Sequence, residues 1–260
     1  ETRICWAKTV LNRELDLSLA INDTMNVETR QAIENFQLNN SLPQTRRIDA
    51  ATERALLEAD ALRRNNVTIG QLSARNVISE AKIKIEDWTR QAVNTRPQLI
   101  RDYYRDPRKI NDFVLHQMAF KRQGRINRQS FSDPASYLKT PAHFCIMLDG
   151  RIIQLHPMSR VIYHAQGISP KSVAVEFAGN FPNTRGVWGV SRNSTLQNRD
   201  YPTQAQFDSG RFLTGYLKIV LGTTRILAHR QSHASRENDP GPDIWYNVGQ
   251  WAVDNLGLTD

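Results

Sequence analysis

The chain has 260 residues, 40% of them hydrophobic, and a formal net charge of +8. That length admits one or two domains, and the apolar fraction is enough for a packed core. No apolar run approaches the roughly 18 residues of a membrane span, and two cysteines, Cys5 and Cys145, make no disulfide framework. Cys145 lies in the apolar run Phe144-Cys145-Ile146-Met147-Leu148, where a buried thiol is expected. The positive charge favours a polyanionic partner: nucleic acid, an anionic membrane surface or an acidic wall polymer. Nucleic acid is set aside, because the basic residues are dispersed and no recognised nucleic-acid motif accompanies them. The chain begins at Glu1 rather than Met, as one trimmed of an export signal would.

Residues 1–60 read as a small all-α domain of three helices. Trp6, Val10 and Leu11 share one helical face, and Ala32, Ile33, Phe36 and Gln37 share another. A third helix begins at Asp49 or Ala50 and carries Ala55, Leu56 and Leu57. The stretches Thr29 to Leu42 and Ile48 to Leu57 resemble the peptidoglycan-binding domain found beside many cell-wall hydrolases. Family members usually have glycines where Thr24, Asn26 and Arg47 stand here, so the loops depart from that pattern.

Residues 61–96 read as a helical linker, with Ile78, Ala81, Ile85 and Trp88 at helical spacings. A boundary is expected near Thr95-Arg96-Pro97, because the residue before a proline rarely continues a helix. From 97 to 260 short strands alternate with helices, which predicts an α/β domain with a mixed central sheet flanked by helices.

Within that second domain, Phe113 to His116 is a strand. The basic run Lys121 to Ser132 lacks periodicity and reads as a loop beside a cleft. Ala142 to Leu148 and Arg151 to Leu155 flank Asp149-Gly150, which predicts a hairpin with a type I′ turn. Ser172 to Ala178 alternates as a strand, with Val173, Val175 and Phe177 on one side and Glu176 on the other. Thr203 and Gln206 form the signature of a capping box opening a long helix to about Leu221. A last helix is expected from about Ile244 to Leu256.

The chemistry concentrates between Thr224 and Ile244. The apolar run Ile226-Leu227-Ala228 delivers His229 to a strand end, and Asp239 then opens a Pro-Gly-Pro turn. An imidazole and a carboxylate on one loop make half of a metal site, and His116, which also ends an apolar run, is the best third ligand. Glu176 is a charged residue inside an apolar strand, as a catalytic acid or base would be.

The order of these segments, with the hairpin and Tyr163-His164-Ala165 between them, resembles the zinc-dependent N-acetylmuramoyl-L-alanine amidases (type 2), relatives of the peptidoglycan recognition proteins. The resemblance spans about residues 110–256. It implies Zn²⁺ held by His116, His229 and Asp239, and Glu176 as general base and then proton donor. It implies His164 in a catalytic role, lining the cleft and hydrogen-bonding substrate or the oxyanion, with Tyr163, His143 and Arg236 along the substrate, His143 being the one expected to act structurally or behind a ligand. The implied substrate is peptidoglycan or a muropeptide, cut between N-acetylmuramic acid and L-alanine, in the periplasm or outside the cell. The alternative is a non-catalytic peptidoglycan-recognition protein on the same fold. Many family members carry a lysine two residues before the last ligand, where this chain has Glu237.

Overall fold

A computed structural model describes residues 2–64, 68–95, 103–119, 133–189 and 199–260. The expected loop over 121–132 and the proline of the expected boundary lie outside the described residues. Six strands form one mixed sheet: β1 (Ile85–Asp87), β2 (Asp112–Gln117), β3 (Phe144–Ile146), β4 (Ile152–Gln154), β5 (Ser172–Phe177) and β6 (Arg225–Ala228). Their spatial order is β1-β4-β3-β5-β2-β6. Only β3 and β4 run antiparallel, and every other neighbour pair is parallel.

Central strands of such a sheet are buried on both faces, which is why β2 and β5 are closed to solvent along their whole length. Alternation still sorts their residues. Phe113, Leu115, Val173, Val175, Phe177, Phe144, Ile146 and Ile226 enter the main core. His116, Glu176 and Cys145 face the other way, where only a small apolar cluster around Tyr137, Cys145, Ile153 and Leu155 forms.

Helices α1 (Arg3–Leu15), α2 (Val27–Asn39) and α3 (Ala50–Arg64) build the N-terminal region, as the spacings predict. Asn26 caps α2 by accepting from the Thr29 amide at 2.9 Å, and Asp49 does the same for α3 through Thr52 at 3.0 Å. Helix α4 (Thr68–Lys84) follows, but the expected helical run through Ile85 and Trp88 does not continue. Ile85 begins β1 instead and pairs with Ile152 at the sheet edge. Backbone pairing to an exposed edge outweighs helical spacing over so short a stretch.

The N-terminal helices share one continuous core with the sheet. Buried polar groups fasten them. Glu53, closed to solvent, accepts from the Ser159 amide at 3.1 Å and from the Ser159 hydroxyl, and pairs with Arg3 Nε at 3.1 Å. Tyr216 donates to Glu58 at 2.9 Å, and Arg54 donates to Gln154 of β4 at 2.7 Å. Burial pushes the Glu58 carboxyl above its ordinary value, against the lowering effect of the Tyr216 bond.

The long helix α5 (Gln204–Leu221) opens with the expected capping box, Thr203 and Gln206 serving each other's amides. The hairpin differs in its turn. Gly150 donates to Met147 at 2.9 Å and Met147 to Arg151 at 2.9 Å, and Gly150 alone takes a positive φ of 87°. A type I′ turn needs two positive φ values, so this is a three-residue loop closed by glycine. The last helical run starts as α6 (Pro242–Ile244), widens into a π-helical segment over Trp245–Gln250 and ends as α7 (Trp251–Leu256). There the Trp245 ring lies across its own helix, 2.4 Å from where a Cβ on Gly249 would sit, and only glycine fits.

Candidate metal centre and catalytic cleft

The carboxyl ends of β2 and β6 and the loop after β6 converge on a cleft of about 230 Å³ lined by His116, His164, Glu176, His229, Arg236 and Asp239, among others. Parallel strands put it there: their carboxyl ends are where loops gather. β2 pairs in register with β5, so His116 lies opposite Glu176 on neighbouring strands about 4.8 Å apart. β6 pairs with β2 through Ala228, and His229 follows immediately.

His116 Nδ1 and His229 Nδ1 lie 2.9 Å apart, and His229 Nδ1 lies 2.8 Å from Asp239 Oδ2. His116 Nδ1 is 3.9 Å from Asp239 Oδ1. All three side chains are buried, at 2%, 8% and 3% exposure, and among the described residues they form the single His/Cys/Asp/Glu group compact enough to hold a metal ion. A tetrahedral zinc ion with bonds of about 2.0–2.1 Å separates its ligand atoms by about 3.3 Å. The three observed separations straddle that value. Two imidazole nitrogens and a carboxylate pressed together this closely repel unless a proton or a cation lies among them, so the donor set fits zinc.

Gln117, a residue the sequence reading passed over, fixes the third member. Its amide donates to Asp239 Oδ1 at 2.9 Å, its side-chain Nε2 donates to the Asn238 carbonyl, and its Oε1 accepts from Phe181 at 2.7 Å. Asp239 Oδ2 is thereby left facing His229. A polar residue directly after a candidate ligand at a strand end was the available signal.

His164 is at 5% exposure and borders the cleft, yet both its ring nitrogens are engaged. Nδ1 lies 3.1 Å from His116 Nε2, and Nε2 lies 3.0 Å from Ser172 Oγ. His143 is fully buried, accepting from the Ala174 amide at 3.0 Å on Nδ1 and donating to the Arg160 carbonyl at 2.8 Å from Nε2. Both nitrogens are held by backbone, which lets the ring brace the sheet away from the cleft wall. Tyr163 is half-buried and likewise absent from the cleft lining, whereas Arg236 lines it. Glu237 is exposed, 4.0 Å from Arg185, and off the cleft wall.

Burial first, then His229, His164 and Arg236, holds His116 well below the ordinary histidine range. Burial, His229 and Arg105 do the same to His164. Arg105 is itself pulled down to about 10 by burial, its guanidinium donating to the carbonyls of Ser169, Met158 and Ser172. The Cys145 thiol, opposite Glu176 on β3, is pushed well up by burial and by that carboxylate, so it stays an inert thiol. Both cysteines are free.

Fold and site together define an α/β protein with a metal-type ligand cluster at the carboxyl ends of parallel strands, beside a buried glutamate. The family model described as N-acetylmuramoyl-L-alanine amidase matches residues 106–242, more than half of the chain. The chain belongs to that amidase family. Solved structures with a similar fold include the N-acetylmuramoyl-L-alanine amidase LysC from Clostridium intestinale URNW, 18% identical, covering 68% of this chain and 99% of that one at a TM-score of 0.45. An AmpD structure is 19% identical over 63% of this chain and 95% of its own, at 0.37. Drosophila PGRP-LB, in complex with tracheal cytotoxin, is 12% identical over 68% and 97%, at 0.42. No curated protein matches the chain.

Proposed function

We propose that the chain is a zinc-dependent peptidoglycan amidase that hydrolyses the bond between N-acetylmuramic acid and the L-alanine of the stem peptide. The observation that carries this is the convergence of His116, His229 and Asp239 beside Glu176 on one cleft, in a chain of the amidase family. When bound, the ion would polarise the scissile carbonyl and acidify a water, the two services zinc gives in amide hydrolysis. Two neutral imidazoles and one carboxylate would hold it and leave it net positive. Glu176, on the strand beside His116, would take the proton of the attacking water and deliver it to the departing nitrogen. Arg236 would lend the cleft a positive charge toward the oxyanion or a stem carboxylate, the part a lysine plays in many relatives.

The N-terminal helices would add wall binding. A cavity of about 770 Å³ lies between them and Tyr104, with Met25 and Ile48 on its wall and Arg3, Arg30 and Arg47, together with Asp23 and Asp49, around it. The arginines outnumber the carboxylates, and a net positive rim over an apolar wall suits a carboxylated glycopeptide. Replacing Arg30 and Arg47 by alanine is expected to weaken co-sedimentation with sacculi while muropeptide cleavage persists.

Action on a wall implies a periplasmic or secreted protein, and no helix among the described residues is long and apolar enough to cross a membrane. The deciding experiment is mass spectrometry of products from defined muropeptides, with and without chelator. Release of intact stem peptide that stops on chelation is expected. Bound zinc with no turnover on any muropeptide would favour recognition without catalysis.

A further inference from the structure

The bonds around His164 run in one direction. Ser172 has a single hydroxyl proton, and that proton goes to the Ile168 carbonyl at 2.8 Å. Toward His164 Nε2, 3.0 Å away, the Ser172 oxygen can only accept. His164 Nε2 therefore bears a proton. On its other side His164 Nδ1 faces His116 Nε2 at 3.1 Å. That contact turns His116 Nδ1 the other way, to 2.9 Å from His229 Nδ1.

We propose that Ser172 and His164 are positioning residues that hold the His116 ring by its Nε2 and so turn its Nδ1 toward His229 and Asp239. The relay starts at a backbone carbonyl, passes through one hydroxyl and one ring, and ends at a candidate ligand. It assigns His164 a task behind the ligand rather than at the substrate. A metal-bound histidine needs its other nitrogen held by a partner that sets tautomer and ring orientation, and such partners are usually carboxylates or carbonyls. Here a second imidazole does it, which works only while that imidazole is itself oriented. Ser172 supplies this from the first position of β5, on the same face as Glu176. The strand that carries the candidate base thus also sets the candidate ligand on its neighbour.

This inference rests on reading His116, His229 and Asp239 as zinc ligands, and two measurements separate the fates of the two readings. The first is nitrogen-15 NMR of the histidine rings in metal-free wild-type protein, which needs neither zinc nor a variant. A proton on His164 Nε2 is expected; a His164 ring bare at Nε2 would overturn the relay. The second is zinc affinity by competition with a chromophoric chelator. Ser172→Ala should bind zinc about 10- to 100-fold more weakly, and Ser172→Thr, which keeps the hydroxyl, should restore the affinity. Unchanged affinity in folded Ser172→Ala would refute the relay. Wild-type protein that binds no zinc would instead remove the zinc reading, with the NMR result still deciding the tautomer.

Discussion

The two faces of the central sheet are made from alternate residues of the same strands, yet they are held together by different means. On one face Phe113, Leu115, Val173, Val175 and Phe177 join a core that runs on into the N-terminal helices. Its stability is that of apolar area removed from water, a sum over many contacts that no single residue dominates. On the other face His116, Glu176 and Cys145 sit over a much smaller apolar cluster. There the order comes from directed bonds: Gln117 to Asp239, His229 to Asp239, His116 to His164, and His164 to Ser172. The lesson is a division of labour by parity. Phe113, Leu115, Val173, Val175 and Phe177 keep the sheet folded, and His116, Ser172 and Glu176 at alternate positions face the candidate site.

Substitutions on the two faces should therefore fail differently. The largest effect is expected from His229→Ala, which removes one of the three candidate ligands. Zinc content should fall to background and stem-peptide release should vanish, read by metal analysis and product mass spectrometry on the same sample. Glu176→Gln comes next. It should retain zinc while kcat drops by roughly 100- to 10,000-fold; full activity would remove the proposed base. On the apolar face, Phe113→Ala should cost about 3–5 kcal/mol of stability, seen in denaturant melts, while the surviving folded protein still binds zinc. A loss of zinc from folded Phe113→Ala would blur the division between the faces.

The smallest effect tests the seam with the helices. Burial raises the Glu58 carboxyl above its ordinary 4.5, so the folded state holds that proton more tightly than the unfolded state. The associated stability is fully present below pH 4.5 and is lost as pH rises through the folded value. Glu58→Gln stays uncharged and can still accept from Tyr216. It should raise the melting temperature modestly at neutral pH, with the gain shrinking in acid. A lower melting temperature at neutral pH would contradict the assignment of burial as the dominant cause.

Much of this was legible in the residues. Strand β2, the hairpin arms, β5 with its one glutamate, and α5 with its capping box follow from spacing and turn chemistry. His116, His229 and Asp239 were found because each ends an apolar run or opens a rigid turn. Other features had no local signature. β1 is three residues, Ile85-Glu86-Asp87, too short and too polar for any period to register. Glu53 and Glu58 look like surface acids on a helix, and only the packing of that helix against Ser159 and Tyr216 makes them interior. His143, expected to act structurally, and His164, expected on the cleft, carry no local sign of their partners. Which atoms they bond depends on chain segments far away in sequence, Ala174 and Arg160 for one, His116 and Ser172 for the other. Glu237, alarming in the sequence as a negative charge in a lysine's place, stands off the cleft wall while its neighbour Arg236 lines it.

X-ray absorption spectroscopy of the zinc-loaded protein addresses the central claim most directly. A first shell of two imidazole nitrogens and one carboxylate oxygen at about 2.0–2.2 Å, with a fourth, exchangeable light atom, is the predicted result. A shell without imidazole scattering, or one made of six oxygens, would mean that these three side chains do not hold the ion.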